Sequence, residues 1–234
     1  MAWFIFDEFN VVASLSTIHN ILQRAKWSRK ASRKRALERS ELLRALWKGR
    51  QPLWDASQLV FVDESASNER TGYRKYGWSP RGVPAIDYQP LTRSERWSIL
   101  PAYTISGYLD GTIIMQGSIT TEIFNEWIET VVLPHCLPWP GPRSVIIMDN
   151  ASIHKNEQLL EVCDAAGVHV EFLPPYSPDF NPIEESFGVL KSWIKRNMIL
   201  ITDFEDFGNF LAFAVHQAGG KHARQHFKDC GYAI

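Results

Sequence analysis

Three acidic residues stand out by type and by position. Asp63 ends the apolar run Leu59-Val60-Phe61-Val62, Asp149 ends the run Val145-Ile146-Ile147-Met148, and Glu184 follows Asn181-Pro182 at the head of a segment with helical periodicity. Continuous apolar runs of this length predict strands buried on both faces of a sheet. Side chains alternate along a strand, so Leu59, Phe61 and Asp63 share one face, and Val145, Ile147 and Asp149 share one face of theirs. If the two strands are neighbours, the carboxylates converge at the end of the sheet where open α/β folds place their sites. Converging carboxylates repel unless protons or cations intervene. Hard oxygen donors without His or Cys favour Mg2+ or Mn2+, and a third acid completes a two-metal site. A single Asp after a strand is more often a turn or capping residue; two of them joined by a third acid are not explained that way.

The surrounding residues carry a resemblance. Val62-Asp63-Glu64-Ser65, Met148-Asp149-Asn150-Ala151-Ser152-Ile153-His154-Lys155 and Tyr176-Ser177-Pro178-Asp179-Phe180-Asn181-Pro182-Ile183-Glu184 resemble the three acidic blocks of mariner-type DDE transposases. Between the second and third acids lie 34 residues, as in many members of that family, and the resemblance covers roughly residues 57–200. It implies a ribonuclease-H-like fold, two divalent ions (Mg2+ or Mn2+), hydrolysis of DNA phosphodiester bonds at element ends, and transfer of the freed 3′-hydroxyl to target DNA. Asp63 then bridges both ions, with Asp149 and Glu184 taking one each. Asn150 and His154 match positions flanking the second acid; orienting a ligand or contacting the scissile phosphate accounts for them no better than helix capping. The implied partners are DNA, at element ends and target, and a second copy of the chain as a homodimer on DNA. Two other readings stand beside this one: a catalytically silent, transposase-derived DNA-binding protein, and a nuclease of the same fold without strand transfer.

The elements that must position these acids follow from the pattern of the chain. The expected architecture is α/β, a mixed sheet flanked by helices with a short helical appendage at the amino terminus. Residues 1–27 are read as a partial helix-turn-helix remnant, because Ile18, Ile21, Leu22 and Ala25 fall on one helical face after a cap near Ser16. Its leading helices are missing, so the chain is expected to be amino-terminally shortened. Residues 28–56 form a basic linker and helix, residues 57–200 the catalytic domain, and residues 201–234 a helical segment without chemistry. Residues 97–105 and 112–119 predict two or three antiparallel strands and residues 122–133 a helix. The order strand 145–148, helix 155–166, strand 168–173 is a β-α-β unit with parallel pairing.

Helical geometry also selects among the acids of the third block. With Asn181 as cap and Pro182 as first residue, Ile183, Phe187, Leu190 and Ile194 define a core stripe at about 100° per residue. Glu184 then lies at the edge of the stripe, where it can turn toward a sheet-edge site or close a capping box; Glu185 faces solvent.

Composition bounds the rest. A chain of 234 residues with 45% hydrophobic content can bury a sizeable core. No run of about 18 apolar residues predicts a membrane span, and residues 1–10 lack the features of a secretory signal. The expected location is intracellular: the nucleus in a eukaryote, otherwise the cytoplasm. Cys136, Cys163 and Cys230 are odd in number and widely spaced, which predicts free thiols. The net charge of −1 conceals an asymmetry, since residues 24–50 hold eleven Lys or Arg against two acids, a local +9. Such clustering suits a phosphate backbone, and equally a solvated helix face. His222 and His226 have a metal-ligand spacing, but without a third ligand they are read as part of a solvated helix face.

Overall fold

The computed structural model describes residues 2–28, 38–73, 78–86, 95–154 and 156–234. The chain divides into two compact units, Met1–Leu37 and Glu38–Ile234. The first holds α1 (Ala2–Phe9), which no sequence signal announced, and α2 (Leu15–Arg24). The cap of α2 is Ser14, whose Oγ accepts from the Thr17 amide at 3.1 Å, two residues before the expected Ser16. Of the expected apolar stripe, Ile18 is buried, Leu22 half-buried and Ile21 exposed. Residues 29–37, which carry five of the eleven basic side chains, lie outside the described residues.

The second unit is built on a five-stranded mixed sheet. Its strands are β1 (Leu59–Val62), β4 (Ala102–Thr104), β5 (Gly107–Tyr108), β7 (Val145–Met148) and β8 (His169–Phe172), in the order β5-β4-β1-β7-β8. β1, β7 and β8 run parallel, β4 pairs antiparallel with β1, and β5 pairs antiparallel with β4. The antiparallel strands expected within residues 97–119 divide between two sheets: β2 (Ser65–Ser67), β3 (Trp97–Leu100) and β6 (Ile113–Gln116) form a separate three-stranded one.

All eight residues of β1 and β7 are fully buried, which is why both runs are apolar throughout. Leu59, Phe61, Val145 and Ile147 face one layer with Ile183 and Phe187 of α6 (Pro182–Asn197) and Phe227 of α8 (Ala223–Asp229). Val60, Val62, Ile146 and Met148 face the other, with Phe124 and Trp127 of α4 (Thr121–Trp127) and Leu159 of α5 (Glu157–Ala165). The helix expected over 122–133 is α4 prolonged by a π-helical turn, Ile128–Val132. The predicted stripe of α6 is buried at Ile183, Phe187, Leu190 and Ile194, and its far end packs on α7 (Phe207–Ala218). All three cysteines are free.

Two expectations about charge are corrected by packing. Within the basic segment, α3 (Glu41–Arg50) buries Trp47 and Arg44 in the second unit. Arg44 donates to both oxygens of Asp179, at 2.9 and 2.6 Å, with its guanidinium 4.2 Å from the centre of the Phe180 ring. Arg50 pairs with Glu171. Arg44 is therefore committed to docking α3 and not to a phosphate backbone. His226 is buried with Nδ1 2.7 Å from the Tyr103 hydroxyl, not on a solvated face, and burial holds its pKa below the ordinary histidine value.

The Arg44–Asp179 pair is asymmetric in exposure, 6% against 52% for the side chains. Asp179→Asn leaves a buried guanidinium with Glu41, at 3.7 Å, as its remaining acidic partner among the described residues. A loss of about 1–3 kcal/mol in urea unfolding is expected. Arg44→Met keeps the contact with Phe180 and leaves a carboxylate that water can reach, so its cost is smaller. Equal losses would show that the pair does not anchor α3.

Candidate active site

The site is assembled by three chain reversals at one edge of the sheet. The parallel register pairs Val62 with Met148, so β1 and β7 end level and Asp63 and Asp149 leave adjacent strands together. By alternation Asp63 continues the face of Leu59 and Phe61, which is the face covered by α6. Glu184, in the first turn of α6, enters from that side. Asp63, Asp149 and Glu184 line one cleft of about 470 Å3, together with Asn150, Asn181 and the proline-rich stretch from Leu173 to Pro178. Glu185 does not line it: its Oε1 lies 3.9 Å from Cys230 Sγ, and burial and the nearby Asp229 raise its pKa. The choice of Glu184 over Glu185 made from the helical wheel agrees with this placement.

Asp63 is the electrostatic centre of the cleft. Its Oδ1 accepts from the Glu64 amide at 2.7 Å and its Oδ2 from Asn181 Nδ2 at 2.8 Å. Burial first, and then the charges of Glu184 and Asp149, push its pKa up to about 7 against the partial opposition of the Glu64 amide. The three acids thus feel one another through a medium that screens poorly.

Asp149 is held differently. Its Oδ1 accepts from the Ala151 amide and from His154 Nδ1, both at 2.8 Å. Opposite an ionised Asp149, which can only accept, Nδ1 is the ring nitrogen that donates. His154 is 2% exposed and packs 4.6 Å from the Phe124 ring centre, so its orientation is fixed by the core. Asn150 donates to the Leu173 carbonyl, tying the end of β7 to the end of β8. Neither residue caps α5, whose cap is Asn156, with Oδ1 accepting from the Leu159 amide at 2.8 Å.

Two residues of the site were not singled out by the sequence. Asn181 reads as a helix cap, yet its side chain makes no capping bond and turns to Asp63. Glu64 is half-buried beside Asp63, and burial raises its pKa against the charges of His154 and Arg96. Only the pairing of β1 beside the start of α6 could have shown the first.

The donor set suits a hard divalent cation. It offers three carboxylates and two side-chain amides, and among the described residues no Lys or Arg lines the cleft to neutralise them. Among the described residues no three His, Cys, Asp or Glu side chains are drawn into a single-ion shell. Both oxygens of Asp63 and one of Asp149 already accept protein hydrogen bonds. Each carboxylate oxygen keeps a second lone pair, so a bound ion would complete its shell with water, as Mg2+ commonly does.

Comparisons with known proteins agree with this geometry. The family model described as DDE superfamily endonuclease matches residues 58–207. No curated protein matches the sequence. The structure is similar to the Mos1 transposase paired-end complex with left transposon end, with a TM-score of 0.67 at 15% identity, over 98% of this chain and 73% of that one. The Mos1 mariner paired-end complex with Mn gives the same values. The catalytic domain of Mos1 mariner transposase alone gives a TM-score of 0.53 at 12% identity, over 87% of this chain and 91% of that one. At these identities the likeness is one of fold, and the expected ribonuclease-H-like mixed sheet with flanking helices is borne out.

Proposed function

Since the chain belongs to the DDE superfamily endonucleases, divalent-metal-dependent enzymes that act on DNA, we propose that Asp63, Asp149 and Glu184 hold two Mg2+ or Mn2+ ions and cut element ends for cut-and-paste transposition. The single observation that carries this reading is the convergence of those three carboxylates on one cleft. The placement of Asp63 supports a division of labour. Asp63, which feels the charges of both other acids, would be the ligand shared between the ions, and Asp149 and Glu184 would serve one each.

When bound, the ions supply Lewis acidity, activating water and neutralising charge that develops on the phosphate. The protein's contribution is to keep its ligands in place. His154, locked against Phe124, sets the rotamer of Asp149, while Asn150 fixes the neighbouring strand ends. The rigid start of α6 at Pro182 sets where Glu184 meets the sheet. Among the described residues no helix is long and apolar enough to cross a membrane.

The DNA-bound unit we propose is a homodimer, one catalytic domain per element end; the similar Mos1 structures are paired-end complexes. Transposition differs from simple cutting in the second step, so the test uses precut ends bearing a 3′-hydroxyl. In Mg2+ the native chain is expected to join them to a target plasmid. Nicking without joined product would assign the protein as a nuclease that does not transfer strands.

A further inference from the structure

We infer that Asn181 is a positioning residue that presents the Asp63 carboxylate to the cation site, an inference that rests on the reading of Asp63 as a metal ligand. Asn181 occupies the capping position of α6, and Asn is among the best residues for bonding the free amides of a helix start. Its side chain makes no such bond. Instead Nδ2 reaches across 118 positions of sequence to donate to Asp63 Oδ2 at 2.8 Å. The side chain is buried, with the residue 2% exposed, and its Oδ1 finds no hydrogen-bond partner among the described residues. A buried amide that gives up its cap and leaves its own oxygen unmatched lowers stability. Helix stability alone therefore does not account for its orientation.

The bond to Asp63 does account for it. With the Glu64 amide on Oδ1 at 2.7 Å and Asn181 on Oδ2, both oxygens of Asp63 are held and rotation of the carboxylate is blocked. Asn181 also stands one turn before Glu184, whose amide donates to the Asn181 carbonyl at 3.1 Å. One short rigid segment thus carries one acid of the cleft and orients another, fixing the separation of Asp63 and Glu184. Such outer-shell donors keep a ligand ready for its ion without touching the ion themselves.

Substitution by Ser separates this role from a purely structural one. Ser caps helices about as well as Asn, but its hydroxyl is too short to reach Asp63. Mn2+ binding measured calorimetrically without DNA is expected to weaken by about 10–100-fold in Asn181→Ser, in a protein with native circular dichroism and an unchanged or raised melting temperature. Asn181→Leu, which keeps the side chain's size, is expected to show the same loss and carries the test if the Ser variant does not fold. Native Mn2+ affinity in the folded variants would overturn the role of Asn181. Asp63→Ala is the control: if it loses Mn2+ binding while Asn181→Ser keeps it, this inference alone fails. If Asp63→Ala binds as the native chain does, or the native chain binds no Mn2+, the metal reading fails with it.

Discussion

Glu184→Gln is expected to abolish Mg2+-dependent strand cleavage in a protein that still folds, whereas Glu185→Gln is expected to cleave at close to the native rate. The two residues are adjacent, both glutamates and both exposed on the first turn of α6. Helix geometry separates them, turning Glu184 into the cleft with Asp63 and Asp149, and Glu185 toward Cys230. Gln preserves size and helix propensity, so each substitution removes little besides charge. The loss at Glu184 is expected to exceed the roughly 10–100-fold typical of an outer-shell change, because a ligand itself is lost. Cleavage surviving in Glu184→Gln and vanishing in Glu185→Gln would reverse the assignment.

The second large effect concerns stability without metal. In the folded chain Asp63 has its pKa pushed up to about 7, chiefly by burial and then by Glu184 and Asp149, against an ordinary value of 3.8. Between those values the folded state holds a proton that the unfolded chain has released, so unfolding free energy falls as pH rises. Below the lower value both states are protonated and the stabilisation is complete; above the upper value both are ionised and it is gone. Urea unfolding in EDTA should therefore show the native chain losing stability from about pH 4 to about pH 7 relative to Asp63→Asn. Mg2+ binding the folded state is expected to restore the native chain at neutral pH by mass action, and Asp63→Asn much less. Parallel pH profiles for the two proteins, with equal Mg2+ responses, would remove Asp63 from the centre of the site.

The parts of this site that could be read from the sequence are those whose pattern is enforced by a continuous environment. β1 and β7 are covered on both faces, so nothing but apolar residues fits and the acids that end them stand out. The stripe of α6 is local and periodic, which is why Glu184 and Glu185 could be told apart before the fold was known. What escaped depends on partners distant in sequence. Arg44 looked like part of a phosphate-binding run, but its counter-ion lies 135 positions away. His226 looked solvated because its partner, Tyr103, belongs to a strand of the sheet. Asn181 satisfied the rule for a helix cap so well that no local signal revealed its bond to Asp63. The splitting of residues 97–116 between two sheets was hidden for a related reason, since both sheets use short antiparallel strands of similar composition.

The central claim is that three carboxylates converging on one cleft form a metal-dependent DNA-cutting centre. Its most direct test is nicking of supercoiled plasmid by the native chain and by a folded Asp63→Asn, Asp149→Asn double variant, each in Mg2+ and in EDTA. Nicks bearing 3′-hydroxyl ends are expected from the native chain in Mg2+ and in none of the other three reactions. Nicking that persists at the native rate in EDTA or in the double variant would contradict the account.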